Sequence, residues 1–230
     1  MDLNSRLLCI ASIVDNCECV IDVGTDHGYI PIYLVKSGVC SRAIASDINK
    51  GPLEKASINI SLEGFSDRIQ CRRGSGLATV SRGEVQGAVI AGMGGNLIRD
   101  IIEADLPVFK ELEFAVLQPV QNPEVLRKSI YEKGYEIIDE ELCISEDKFY
   151  EIIKVRYGNE HYRLEEFDYE ISPVLLRKKH PLLREFLEFK LNKYYKISQS
   201  IQEDAGEAAS ERRVEVLKRI SRLEELISCL

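Results

Sequence analysis

The 230-residue chain predicts an α/β fold: a mostly parallel sheet finished by one antiparallel hairpin, followed by a helical second domain. Three observations carry this reading. Apolar strand-like runs alternate with helix-compatible segments through residue 158, and such alternation builds a parallel sheet covered on both faces. The last two runs, YEIIDEELCI (135–144) and KFYEIIKVRY (148–157), are separated by only Ser145-Glu146-Asp147. Three residues cannot hold a crossover helix, so these strands pair antiparallel. After Pro173 the apolar spacing changes to alternating steps of four and three, the period of paired helices.

The elements follow in order. The N-terminus, MDLNSRLLCIASIVDNCE, lacks the basic start and small-residue cleavage site of a signal peptide and reads as a helix. Strands are expected at 19–24, 42–47, 68–73, 86–91 and 113–118, with helices at 28–37, 51–63, 95–104 and 122–133. Pro52 and Pro123 suit first-turn positions, and Gly134 suits a helix stop. Leu187, Leu191, Tyr194, Ser198 and Ile201 form one apolar stripe; Val216, Ile220, Leu223, Ile227 and Leu230 form another, with Gly206 in the polar break between them. Two long helices folding back as an antiparallel hairpin are expected, with the domains divided as 1–158 and 159–230.

Composition narrows the function. No run approaches the roughly 18–20 apolar residues of a membrane span, and the expected location is the cytoplasm. Seven scattered cysteines, among them a lone Cys17-Glu18-Cys19, offer no ligand set, so reduced thiols and no metal are expected. The net charge of −8 is unevenly spread. Residues 1–160 hold 17 Lys+Arg against 25 Asp+Glu, whereas residues 177–196 hold seven bases and two acids, a local +5. A basic helix face of this kind can bind phosphate on an otherwise acidic protein, or can simply be solvated.

The chemistry concentrates in DVGTDHGYIP (22–31). Gly24 permits a tight turn, and Gly28 opens a helix whose free N–H groups favour polar ligand atoms. A dinucleotide fingerprint requires glycines where this chain has Asp26 and Tyr29. A carboxylate there repels a diphosphate but tolerates a ligand carrying a sulfonium and an ammonium, so S-adenosyl-L-methionine is favoured over NAD. Asp47 ends the second strand, where a carboxylate can accept both hydroxyls of a ribose. Gly74-Ser75-Gly76 is a plausible adenine-side loop, and Ala91-Gly92-Met93-Gly94-Gly95 puts bare backbone at a strand end, with room for a flat base. Asp26 is the leading candidate for a carboxylate near the reacting atoms, with His27 beside it, and Tyr29 is a candidate stacker. The residues alone leave open a methyltransferase for another RNA base or a protein, and a cofactor-binding module that recruits partners through its coiled coil.

Taken in order, Asn4-Ser5-Arg6-Leu7, IDVGTDHGYIPIYLV, SDINKGPLEKA, IAGMGG, LQP and DKFYEII resemble the TrmK family, bacterial enzymes that methylate N1 of adenosine 22 of tRNA. The resemblance runs from Arg6 to about Ile153, and the helical hairpin beyond is similar to that family's C-terminal coiled coil. It implies a class I methyltransferase with a Rossmann-like sheet, S-adenosyl-L-methionine as cofactor, and tRNA as the partner of a monomer. Asp22, Gly24, Thr25, Gly28, Asp47, Ile48, Gly74, Ser75, Gly76, Ala91, Gly92 and Met93 are then cofactor-side candidates. Arg6, Tyr29, Gly94, Gly95 and the basic Lys190, Lys193 and Lys196 are substrate-side candidates, with Asp26 and His27 catalytic. Where the family often has an acid or amide, this chain has Ser75, which argues against adenine recognition by that side chain and leaves backbone contacts. N1 lies on the pairing edge of adenine, so the base must be unpaired or flipped to be reached.

Overall fold

The computed structural model describes residues 3–201 and 207–230, so the expected turn at Gly206 lies outside the described residues. The chain divides into two compact units, 1–174 and 175–230. In the first, α1 (Ser5–Ser12) precedes β1 (Cys17–Val23), α2 (Tyr29–Lys36), β2 (Cys40–Asp47), α3 (Lys50–Leu62) and β3 (Ile69–Arg73). After a short 3₁₀ turn at Gly76–Thr79 come β4 (Gly87–Gly94), α4 (Gly95–Ala104), the single-turn α5 (Leu106–Phe109), β5 (Phe114–Gln121) and α6 (Pro123–Glu132). The unit closes with β6 (Tyr135–Ser145), β7 (Lys148–Tyr157) and α7 (Glu166–Glu170).

The seven strands form one sheet in the order β3-β2-β1-β4-β5-β7-β6. β1 to β5 are parallel, and β7 runs antiparallel between β5 and β6. The order reverses between β1 and β4, which opens a crevice at their carboxyl ends, where open α/β sheets bind ligands.

Both faces are buried, as the continuous apolar strands require. Along β5, Ala115 and Leu117 pack under α4 and α6, while Phe114 and Val116 pack under α1, α2 and α3. This is the period-two alternation of a strand turned to two cores at once. The β6–β7 hairpin turns on two residues rather than three, since Ser145 already pairs with Lys148. Glu146 and Asp147 have φ of 50° and 58°, the left-handed pair of a type I′ turn that matches the twist of its strands.

The first unit runs past Gly158, where the sequence changes style. Tyr169 and Ile171 are buried, and the Tyr169 carbonyl accepts a hydrogen bond from Arg127 Nη1 at 3.0 Å. Arg127 is itself wholly buried on α6, donating to Glu140 Oε1 of β6 at 2.8 Å and to Glu151 Oε2 of β7 at 2.6 Å. One guanidinium thus fastens four elements together.

In the second unit, α8 (Pro173–Lys178) enters from the boundary and is followed by α9 (Leu183–Ser200) and α10 (Glu207–Ser228). α9 and α10 pack on one another: Tyr195 Oη donates to Glu224, and the Arg219 guanidinium lies 5.8 Å from the centre of the Tyr194 ring. Leu187, Val216, Ile220 and Leu223 of the expected stripes are buried, while Leu230 is exposed. No helix among the described residues is long and apolar enough to cross a membrane.

Candidate active site

The β1–α2 loop is shaped by its backbone. Gly24 (φ 74°), Asp26 (φ 49°) and Gly28 (φ 73°) are all left-handed, and only Asp26 carries a side chain in that strained region. The loop is held by the Gly24 and Thr25 amides, which donate to the Ser46 carbonyl at 2.8 and 2.9 Å, and by Asn59, whose side chain donates to the His27 carbonyl at 2.9 Å. The Asp26 side chain stays two-thirds exposed, 3.5 Å from His27 Nε2. The His27 ring stacks on Tyr29, with centroids 5.2 Å apart and planes 11° from parallel.

Two cavities meet at this loop. The first, of about 320 Å³, is walled by Asp22, Gly24, Thr25, Asp26, His27 and Tyr29 from the β1–α2 segment, by Ala91 and Gly92 of β4, and by Arg6 of α1. The second, of about 280 Å³, is walled by Asp47, Ile48, Gly74, Ser75, Gly76 and Met93. Gly24 lines both. The left-handed backbone at Gly24 suits glycine, and a Cβ there would sit 2.3 Å from Met93 Cε, so that side chain would have to move where the two lobes adjoin.

The electrostatics suit a cation. Asp22 is 4% exposed, and burial pushes its carboxyl up to about 7, with the Thr25 hydroxyl pulling it back down and the Asp47 charge adding to the rise. A carboxylate kept from water in this way is neutralised either by a proton or by a positive ligand. Asp47 Oδ1 accepts the Asn49 amide at 2.7 Å, which fixes the rotamer that faces the second cavity.

Most predicted residues therefore converge, and a few do not. Gly28 caps α2 and lies against Ala56, where a Cβ would stand 3.2 Å from the Ala56 Cβ; its bareness serves helix packing. Gly95 is buried, and a Cβ there would meet the Asn122 carbonyl at 2.2 Å. A Cβ at Gly94 would meet the Gln121 amide nitrogen at 3.0 Å. The backbone of the β5–α6 loop thus accounts for Gly95, whereas Gly94 faces the end of the Gln121 side chain, and neither glycine lines the two cavities. Lys190, Lys193 and Lys196 lie in the other unit on α9, Lys193 and Lys196 exposed and Lys190 half-buried over the Phe186 ring at 5.1 Å. Among the described residues no group of three His, Cys, Asp or Glu could hold a metal.

Sequence reasoning missed Gln118, a fully buried amide within β5 that accepts from Arg6 Nη1 at 2.7 Å. Its signal was there: a lone polar residue in the apolar run FAVLQPV.

Residues 20–225 match the TrmK family, described as tRNA (adenine(22)-N(1))-methyltransferase. This chain belongs to the TrmK family. The tRNA (adenine(22)-N(1))-methyltransferase of Bacillus subtilis is 31% identical over 232 residues, covering 99% of this chain and 96% of that protein. A Streptococcus pneumoniae protein solved in complex with S-adenosyl-L-methionine superposes with a TM-score of 0.86 at 30% identity, over 98% of this chain and 100% of that one. The structure of M. capricolum TrmK with S-adenosyl-homocysteine gives a TM-score of 0.82 at 26% identity, over 98% of both chains. As a TrmK enzyme the chain is a methyltransferase that uses S-adenosyl-L-methionine to methylate N1 of adenosine 22 in tRNA.

Proposed function

We propose that the two adjoining cavities divide this reaction between them, the second holding the adenosine half of the cofactor and the first holding its methionine half and the target base. The observation that carries this is the seam at Gly24, with a buried carboxylate on one side and Asp47 on the other. Bound there, the cofactor supplies an electrophilic methyl group on a sulfonium.

Asp47 receives the ribose hydroxyls, with Ile48 and the Gly74–Gly76 loop bounding the adenine and Ser75 contributing through its backbone. Asp22 faces the ammonium, Thr25, Ala91 and Gly92 complete that wall, and Met93 bounds the adenosine side. Asp26 stands toward the reacting atoms with His27, whose ring is braced on Tyr29. Adenine N1 carries a free lone pair at neutral pH, so no base has to remove a proton first. Alignment supplies much of the rate, and the Asp26 carboxylate stabilises the charge that develops on the ring. Arg6 meets the substrate. Because the first 160 residues carry the whole net charge, the basic face of α9 with Lys190, Lys193 and Lys196 provides the contacts to tRNA phosphates. The enzyme works in the cytoplasm as a monomer.

The test of the cofactor half is Asp47→Ala. Two charge-assisted hydrogen bonds contribute roughly 1.5–3 kcal/mol each before water compensates, so calorimetry should show cofactor affinity lowered at least tenfold in a protein with an unchanged fold. Unaltered affinity would remove Asp47 from the site. For the reaction half, Asp26→Ala is expected to slow single-turnover methylation of tRNA at saturating cofactor far more than it weakens cofactor binding. A normal rate under those conditions would leave Asp26 as a turn residue only.

Asp22 gives a third expectation, in which stability and function part. Its folded-state carboxyl lies above the ordinary aspartate value, so its contribution is fully present in acid and is lost as pH rises through about 7. Asp22→Asn never ionises. The ligand-free variant should therefore gain stability over the parent progressively from about pH 4 to about pH 7 and level off above, by a few kcal/mol at about 1.4 kcal/mol per pKa unit, while binding the cofactor less well. Thermal melts across that range, with and without cofactor, check both halves; a pH-independent difference would contradict the assignment.

A further inference from the structure

Among the described residues, Gln118 is the wholly buried polar side chain that reaches the edge of the first cavity from beneath. Its orientation is over-determined. Nε2 donates to the Pro119 carbonyl at 2.9 Å, which turns Oε1 toward the cavity, and there Oε1 accepts both Arg6 Nη1 at 2.7 Å and the Gly92 amide at 3.2 Å.

The second of these donors exists because β4 breaks register. Ala91 pairs with Gln118 and Met93 with Pro119, so Gly92 bulges out between them. A bulged residue leaves the ladder, and its N–H needs another acceptor. Gly92 takes the Gln118 side chain of β5 in place of a backbone carbonyl. Arg6 comes from α1, a separate element, and its guanidinium also lies 5.6 Å from the centre of the Tyr150 ring. One amide oxygen thus joins an N-terminal helix to the bulge of a central strand, and both of its partners line the cavity.

We infer that Gln118 is a positioning residue for methyl transfer: it sets the Arg6 guanidinium and the Gly92 bulge in the geometry that receives the substrate. The inference rests on the reading that Arg6 meets the substrate. A guanidinium with one donor pinned from below and its plane fixed keeps its remaining donors aimed at an incoming group. Without the pin, Arg6 must be ordered at the moment of binding.

A double-mutant cycle in the full chain, assayed on tRNA, separates this role from mere packing. Arg6→Ala alone tests the reading underneath: kcat/KM should fall roughly tenfold or more, and an unchanged value would remove Arg6, and with it the inference. Gln118→Met, of similar volume but with no acceptor, should fall by a similar factor. Because Gln118 acts through Arg6, adding Gln118→Met to Arg6→Ala should lower kcat/KM by no more than about threefold further. Losses that multiply would overturn the proposal even if both single variants are impaired.

A readout that does not depend on turnover is amide hydrogen exchange at Gly92, which should accelerate in Gln118→Met and remain slow in Arg6→Ala. Slow exchange at Gly92 in a folded Gln118→Met protein would count against the bulge contact. Should Gln118→Met fail to fold, Gln118→Leu, which also lacks an acceptor, takes its place in the cycle with the same expected losses. Losses of Gln118→Leu and Arg6→Ala that multiply would overturn the proposal.

Discussion

A chain ended after Val174 is expected to bind S-adenosyl-L-methionine as the full chain does and to lose nearly all methylation of tRNA. Both hydrophobic cores of the sheet are built from residues up to Val174, so the cut removes none of their members. Both cavities are likewise lined from within that unit. What is lost is α9, with Lys193 and Lys196 exposed on its surface. Replacing Lys190, Lys193 and Lys196 by Gln in the full chain should reproduce part of the loss and flatten the salt dependence of tRNA binding. Each phosphate contact removed should lower the log–log slope by about 0.7–0.9. Filter binding across a salt series, beside calorimetry with the cofactor, measures both effects. If the 174-residue chain methylates tRNA at the full rate, the helices serve another purpose.

Arg127→Met is expected to be the most damaging single change to stability. Removing one member of a buried ion cluster leaves the others uncompensated, at a cost of about 3–5 kcal/mol. For a chain of this size that lowers the melting temperature by roughly 6–20 °C. The loss should depend on pH. Burial already pushes the Glu140 carboxyl up to about 7, with Arg127 acting to pull it down. Without Arg127 it rises further, and a carboxyl raised in the folded state loses its contribution as pH rises. The variant should therefore be nearer to the parent at pH 6 than at pH 8, and melts at the two values check the sign. Equal deficits would mean that the damage comes from shape alone. A cut after Gly158 belongs to the same chemistry, because it strips the Tyr169 carbonyl from Arg127. The chain shortened there should unfold more readily than the one ended at Val174.

The sheet was legible because its signals are local. A strand buried on both faces is a continuous apolar run, and two runs three residues apart have only one way to pair. The glycine turn was legible for the same reason, since Asp26 and Tyr29 stand where a diphosphate would need bare backbone. Arg127, Glu140 and Glu151 were not, because charges on a helix and two strands read as solvent-facing until the fold brings them together. Residues 159–172 read as part of the second domain because the sequence turns polar there, whereas the buried Tyr169 and Ile171 lie in the first compact unit. Gly94 and Gly95 show the converse limit. A missing side chain marks a close approach but does not say whether a ligand or the chain itself approaches, and at Gly95 it is the Asn122 carbonyl. Gln118 was visible as an oddity in its strand, but its two partners lie 112 and 26 residues away.

Asp22, Asp26 and Asp47 gather at the carboxyl ends of neighbouring parallel strands, so the crevice favours a positive ligand over a negative one before anything enters it. A polyanion approaching that mouth is repelled, and a cationic donor is drawn in. On the proposed placement, a donor already bound lowers that barrier for the nucleic acid. Methyl transfer then leaves a neutral thioether where a sulfonium stood and puts the positive charge on the base. On that placement the crevice holds the same total charge before and after, carried at first by the small molecule and at the end by the RNA.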